Sequence, residues 1–310
     1  MSPNKIAVAI PTYKRREMLD RLIGTIPSDW SIYVSDNDSS LLPLDPPIDG
    51  RVKVSHSPVM VEMFANWNRA LSLVDADCTH VFIPSDDDLF LPEARAIVTD
   101  ALRQHADADI LVFGCDFIDG QDQKFGGYVP AAQEVFATGD GFTRFAYSVD
   151  ARLPGILIRQ DFLKRIGAFD EKMEITAADS DFVQRALLLG KSVFVPKVIG
   201  LYRYWNGSGT HAFHGTDRWM KDVVRWTDKI TQLLRTGHHP IHAKVDIDQY
   251  RAEVINRNVL AGVDNLIAKG DLVKARDFFW RHAVFKHATL LGRLRLLRCL
   301  WRLRRTRMSA

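Results

Sequence analysis

Val81-Phe82-Ile83-Pro84-Ser85-Asp86-Asp87-Asp88-Leu89-Phe90-Leu91-Pro92 is the stretch around which the chain is organised. An apolar run stops at Pro84 and Ser85, three consecutive carboxylates follow, and the chain turns apolar again before Pro92. That order reads as a buried strand, an acidic turn and a new element. Adjacent carboxylates repel one another, so the cluster costs stability unless a cation sits among them. Oxygen ligands in a turn suit a hard divalent cation, Mg²⁺ or Mn²⁺, which takes one or two carboxylates and shares substrate phosphates. A metal–diphosphate site at the carboxyl end of a strand is one expectation. A solvated acidic turn is the other, since aspartate also caps helices well.

Outward from that stretch the pattern alternates. Ile6–Ile10 (IAVAI), Ser31–Ser35, Arg51–Ser55, Thr79–Ile83, Ala108–Phe113 and Ser192–Val195 read as short buried strands. Glu17–Ile26, Phe64–Val74 and Gln160–Ile166 have helical spacing, and a further helix starts near Asp179. Alternation of this kind predicts an α/β fold, Rossmann-like, with a mostly parallel sheet flanked by helices. Ligands of such sheets bind outside the carboxyl ends of the strands. Tyr13, Asp36 and Asp86–Asp88 all lie just past strand ends, so they are expected to share a crevice. The Gly-rich stretch Asp116–Gln133 reads as a hairpin or a mobile flap.

Four ordered motifs, P-T-Y-K-R from Pro11, S-D-N-D-S from Ser35, N-W-N-R-A-L from Asn66 and S-D-D-D-L-F-L-P from Ser85, resemble the GT-A glycosyltransferases of family 2 over about residues 4–212. The resemblance implies a nucleotide-sugar donor, UDP first among the bases, an Mn²⁺ or Mg²⁺ cofactor, and inversion at the anomeric carbon. It places Pro11, Thr12, Tyr13, Arg15, Asp36, Asn66, Asn68, Asp86 and Asp87 around the nucleotide and donor, with Tyr13 stacked on the base. It makes Asp88 the foremost metal ligand, with Asp86 and His211 beside it. In Ala177–Gly190 (AADSDFVQRALLLG) it implies a catalytic base, at Asp179 or Asp181. Ala178 stands where the family commonly has Glu, and Trp205 where it often has His. The plainer reading of Asp179 and Asp181 is helix capping, with Asp181 paired to Arg185.

The rest of the composition narrows the class. The chain has 310 residues, 46% hydrophobic and 25% charged, ordinary for a globular protein. Its three cysteines are widely spaced and include no C-x-x-C, which fits a reducing compartment. No secretory signal and no membrane-spanning run is expected. Neither a G-x-G-x-x-G nor a phosphate-loop fingerprint occurs, against dinucleotide or P-loop chemistry.

From Thr216 onward the chain reads as helical, so the expected division is 1–215 and 216–310. After Asp277 no acidic residue occurs, yet arginines recur through Arg307. Leu290, Leu294, Leu297 and Trp301 line one side of a basic amphipathic helix. Residues 288–310 are therefore expected to meet an anionic membrane surface from the cytoplasmic side, or to dock on an acidic partner, or to pack as a terminal helix. Nucleic acid is not expected, because no aromatic stacking platform accompanies the charge. Oligomerisation is left open. Taken with the tail, the resemblance implies sugar transfer to a glycan or lipid-linked saccharide in bacterial surface-polysaccharide assembly. Two rival readings stand beside it: a sugar-phosphate nucleotidyltransferase, and a non-catalytic scaffold of the same fold.

Overall fold

The structure, a computed structural model, describes residues 4–42, 51–204, 213–237 and 245–305. The chain forms two compact units: Met1–Phe142, Val149–Glu171 and Phe182–Trp205 in the first, and Thr143–Ser148, Lys172–Asp181 and Asn206–Ala310 in the second. The second unit thus begins before residue 216 and recruits two short segments from earlier in the chain.

The first unit is built on one sheet, ten-stranded among the described residues. Its strands are β1 (Ile6–Thr12), β2 (Ser31–Asp36), β3 (Val52–His56), β4 (His80–Phe82), β5 (Leu89–Phe90), β6 (Ile110–Ile118), β7 (Lys124–Tyr128), β8 (Glu134–Phe136), β9 (Ile156–Arg159) and β10 (Ser192–Arg203). The order is β3-β2-β1-β4-β9-β6-β10-β5, with β7 added on β6 and β8 on β10. β1 is parallel to β2 and β4, β2 to β3, and β6 to β10. β9 lies antiparallel between β4 and β6, so β4 and β6 still point the same way. The carboxyl ends of β1, β2, β3, β4, β6 and β10 therefore share one edge. Every residue of β1 is buried, which is what a central parallel strand covered on both faces requires.

Among the described residues five helices accompany the sheet: α1 (Arg16–Thr25), α2 (Met63–Ser72), α3 (Ala94–Gln104), α4 (Gln160–Ile166) and α5 (Ala178–Leu189), whose first turn belongs to the second unit. Leu19, Leu22, Val98, Ala101 and Leu102 drive α1 and α3 into a core with Val8, Ile10, Ile32, Val34, Leu111 and Phe113. One strand runs further than expected. β10 runs on through Pro196, and its register with β6 shifts between Phe194 and Val198, a bulge that lets a residue without an N–H sit in the strand. Of the two readings of Asp116–Gln133, the hairpin is found, as β6 pairs antiparallel with β7.

The second unit carries α6 (Asp217–Thr236), α7 (Ile247–Ala268), α8 (Leu272–His282) and α9 (Leu290–Arg305). Trp219, Val223, Trp226 and Ile230 form the buried face of α6, as their spacing predicts. Thr216, Asp246 and Asp271 cap α6, α7 and α8 with side-chain oxygens. α8 stops at His282. The buried Asn256 exchanges hydrogen bonds with both the N–H and the C=O of Val284 (2.8 and 2.7 Å), drawing that backbone out of the helix.

Candidate functional site

The acidic turn is held at both ends by aromatic packing. Phe82 precedes it and Phe90 follows it, and both lie against Trp30, at centroid distances of 5.2 and 5.4 Å. After the turn, β5 pairs antiparallel with β10 through Leu89↔Leu201 and Phe90↔Gly200. Arg203, at the end of β10, completes the frame. Its Nε donates to the carbonyl of Asp87 (2.9 Å), its Nη1 donates to the carbonyl of Asp119 (2.7 Å), and it pairs with Asp122.

The three carboxylates have different surroundings. Asp86 accepts from Thr12 Oγ1 (2.7 Å) and from Arg15 Nη1 (3.1 Å). The same Arg15 nitrogen reaches Asp87 Oδ2 (3.1 Å). Asp88 is turned inward, 1% exposed, and accepts the backbone N–H of Ser85 and of Arg203 (2.9 and 3.1 Å). The sequence-based assignment of Asp88 as foremost metal ligand therefore meets a carboxylate already engaged with the main chain. Burial pushes the Asp86 carboxyl up to about 6, against the pull of Arg15 and Thr12. Burial, then the charge of Asp87, pushes Asp88 well above the usual carboxylate range.

Beside this turn lies a second polar cluster. Asp36, fully buried at the end of β2, accepts from Ser40 Oγ (2.7 Å) and the N–H of Leu41 (3.1 Å), and its Oδ2 is 2.7 Å from His56 Nδ1. Ser40 Oγ also accepts the N–H of Lys14 (2.8 Å), and the Lys14 ammonium lies over the half-buried Tyr13 ring at 4.8 Å. Asp36 is thus linked through Ser40 to Lys14, whose ammonium covers the Tyr13 ring. Pro11 is buried within β1 and contributes backbone there. Asn66 is occupied by the frame: it accepts from Ser35 Oγ (2.7 Å) and donates to the carbonyls of Ser35 and Thr12. Asn68 binds the backbone of Phe169 and the carboxylate of Glu171. Both asparagines position α2 against its neighbours. His56, Ser40 and Arg203 were not among the expected site residues. His56 and Arg203 end strands whose carboxyl ends face the same edge, which is the signal that points to them.

Among the described residues no group of three or more histidine, cysteine or acidic side chains forms a ready metal cage. The residues do fit a cation held by one or two carboxylates: a guanidinium nitrogen already stands equidistant from Asp86 and Asp87. His211, and the glycine-rich stretch before it, lie outside the described residues.

In the second unit, Asp179 is exposed and accepts the N–H of Ser180 (2.7 Å). Asp181 is fully buried and paired with Lys229 (2.9 Å). Arg185 donates to the carbonyls of Ile166, Gly167 and Ala168. Ala177 has φ +66°, a left-handed conformation costing a residue with a Cβ about 1–2 kcal/mol. Asp222 holds the preceding segment in place. Its Oδ2 accepts the N–H groups of Glu174, Ile175 and Thr176 (3.0, 2.7 and 3.1 Å).

No protein-family model matches the sequence, and no curated protein matches it. Solved structures do. TarS residues 1–349 from S. aureus, in complex with UDP-GlcNAc, match with a TM-score of 0.63 at 17% identity, over 89% of this chain and 80% of that one. The same protein in complex with UDP gives 0.61 at 17% identity, over 98% and 91%. The mannosyltransferase PcManGT from Pyrobaculum calidifontis, in complex with GDP-Man and Mn²⁺, gives 0.50 at 14% identity, over 97% and 88%. Likeness at such identities is likeness of fold: the chain has the GT-A fold that its ordered motifs led one to expect.

Proposed function

We propose that the chain is a glycosyltransferase that moves a sugar from a nucleoside-diphosphate donor to an acceptor hydroxyl. The observation that carries the reading is the convergence, at one sheet edge of a GT-A fold, of an Asp86–Arg15–Asp87 cluster with the Tyr13–Lys14–Ser40–Asp36 cluster. Tyr13 supplies a face for the base, and Asp36, oriented by His56 and Ser40, an acceptor for base or ribose. Asp86 and Asp87 take the phosphate-bearing end. A divalent cation there would neutralise the diphosphate leaving group. The residues that would hold it are Asp86 and Asp87, with Arg15 yielding its place and turning to the phosphates. Asp88 keeps the turn in shape.

TarS with UDP-GlcNAc and the mannosyltransferase with GDP-Man and Mn²⁺ support a nucleotide-sugar donor and a metal. In the reaction the acceptor oxygen bonds to the anomeric carbon, the bond from that carbon to the phosphate oxygen breaks, and the nucleoside diphosphate leaves. One displacement of this kind inverts the centre and releases the acceptor proton to a carboxylate. We assign that base to Asp179, because it is solvent-exposed whereas Asp181 is buried on Lys229. A glycan or lipid-linked saccharide is the acceptor class.

A thermal-shift panel of UDP, GDP, dTDP and CMP, each with and without Mn²⁺, tests this. One nucleoside diphosphate is expected to raise the melting temperature strongly with Mn²⁺ and weakly without it. No stabilisation by any nucleotide, with or without metal, would overturn the reading.

A further inference from the structure

Helix α9 has two apolar stripes, and they lie on opposite sides. Gly292, Leu296, Cys299 and Leu303 recur at i, i+4, i+7 and i+11 and are buried in the second unit. Leu290, Leu294, Leu297 and Trp301 recur at the same spacing and are 54–77% exposed. At 3.6 residues per turn the second stripe faces directly away from the first. The start of the helix is built to seat the buried stripe. Thr289 Oγ1 accepts the N–H of Gly292 (2.8 Å), and Glu253 accepts both the N–H and the hydroxyl of Thr289 (2.7 and 2.8 Å). So packing accounts for one stripe and leaves the other as a ridge of three leucines and a tryptophan facing solvent.

The charge around the ridge says what would cover it. Arg295, Arg298 and Arg302 run along one flank, and Arg293 and Arg304 along the other, all exposed, with Arg302 paired to Asp264. In the sequence, Arg293 and Arg304 look like interruptions of an apolar side; on the helix they form its second border. No acidic residue occurs after Asp277. A ridge docked on the same ridge of a second copy would bring like-charged arginine rows together, which is unfavourable. Lipid suits both parts: the leucines and Trp301 reach the acyl boundary while the guanidinium groups stay at the phosphates. Among the described residues no helix is long and apolar enough to cross a membrane, so the contact lies in the plane of the interface.

We infer that α9 docks the protein onto an anionic phospholipid surface, with Leu290, Leu294, Leu297 and Trp301 inserted and Arg293, Arg295, Arg298 and Arg304 on headgroup phosphates. This stands apart from the transfer reaction and would hold for any activity of the first unit. Flotation with phosphatidylglycerol–phosphatidylcholine vesicles and with phosphatidylcholine vesicles tests it on the full chain. The wild type is expected to bind the anionic vesicles about tenfold or more tightly than the neutral ones, and less tightly as salt rises. Leu294→Ser/Leu297→Ser/Trp301→Ser, all at exposed positions, is expected to lose about tenfold or more with an unchanged melting temperature. Arg293→Gln/Arg298→Gln/Arg304→Gln is expected to lose the preference for anionic lipid. Absence of wild-type binding to anionic vesicles, or undiminished binding by the ridge variant, would overturn the inference. So would a wild-type dimer that the ridge variant converts to monomer without any lipid binding by either form.

Discussion

Two aspartates separated by one residue differ sharply in what their removal should do. Asp179 is exposed and bonded to the N–H of its neighbour; Asp181 is buried against Lys229. Asp179→Asn is expected to leave the melting temperature and nucleotide binding unchanged while transfer falls by about 10²-fold or more, the usual size of a lost general base. Asp181→Asn leaves the Lys229 ammonium facing a neutral amide and is expected to destabilise by about 3 kcal/mol. Urea denaturation and a transfer assay on both variants separate the roles. Loss of transfer in Asp181→Asn at wild-type stability would reverse the assignment. Asp222 offers a third contrast. Replacing it by Ala strips three backbone N–H groups of their acceptor and should cost about 3 kcal/mol or more. Asp222→Asn, which keeps one acceptor oxygen, is expected to fall between wild type and Ala by the same denaturation measurement.

Elements are placed here by contacts at their ends. The acidic turn keeps its shape because Phe82 and Phe90 pack on Trp30 on either side of it. Phe82→Ala opens a cavity in that cluster and is expected to cost about 3–5 kcal/mol in denaturant titration, with weaker metal-dependent nucleotide binding as the turn loosens. Helix α9 depends on a glycine. A Cβ at Gly292 would stand 2.2 Å from Glu253 Oε1, and that carboxylate is tied to Thr289, so it cannot swing aside without undoing the cap. Gly292→Ala is therefore expected to unseat α9 and uncover Cys299. All three cysteines are buried, and burial raises the Cys299 thiol to about 11. Thiol titration should find little reactive sulfur in the native wild type and about one reactive thiol per chain in the variant.

Stability of the entire chain should carry a pH signature from His80. Burial, helped by Arg159, lowers this imidazole to about 4, below the 6.5 it would have unfolded. Because the folded value is the lower one, its contribution is fully present above pH 6.5. It is lost as pH falls toward 4, by up to about 3 kcal/mol. The raised Asp86 and Asp88 carboxyls act in the opposite sense, gaining stability as pH falls, so the histidine has to be isolated by comparison. His80→Gln is expected to lose about 2 kcal/mol less than wild type between pH 7.5 and 5.0, measured as the shift in urea midpoint. Equal losses in the two proteins would remove His80 as the source.

The alternation of short β-branched runs with amphipathic stretches was enough to read the α/β class, because a parallel strand buried on both faces must be continuously apolar. The acidic turn, Tyr13 and Asp36 were legible for a related reason: polar residues directly after such runs sit at the strand ends, where this kind of sheet binds ligands. What each carboxylate does was not legible. Asp86, Asp87 and Asp88 are chemically identical neighbours, and only the approach of Arg15 from one loop and of the Arg203 backbone from a strand over a hundred residues later divides them. The same holds for Asp181, whose partner Lys229 lies on α6, and for Asn66 and Asn68, whose amides are consumed by backbone distant in sequence. Helical periodicity marks which residues of α9 share a face. Which apolar stripe is buried and which is left bare depends on what the rest of the unit presents to it, and here that is Glu253 closing on Gly292.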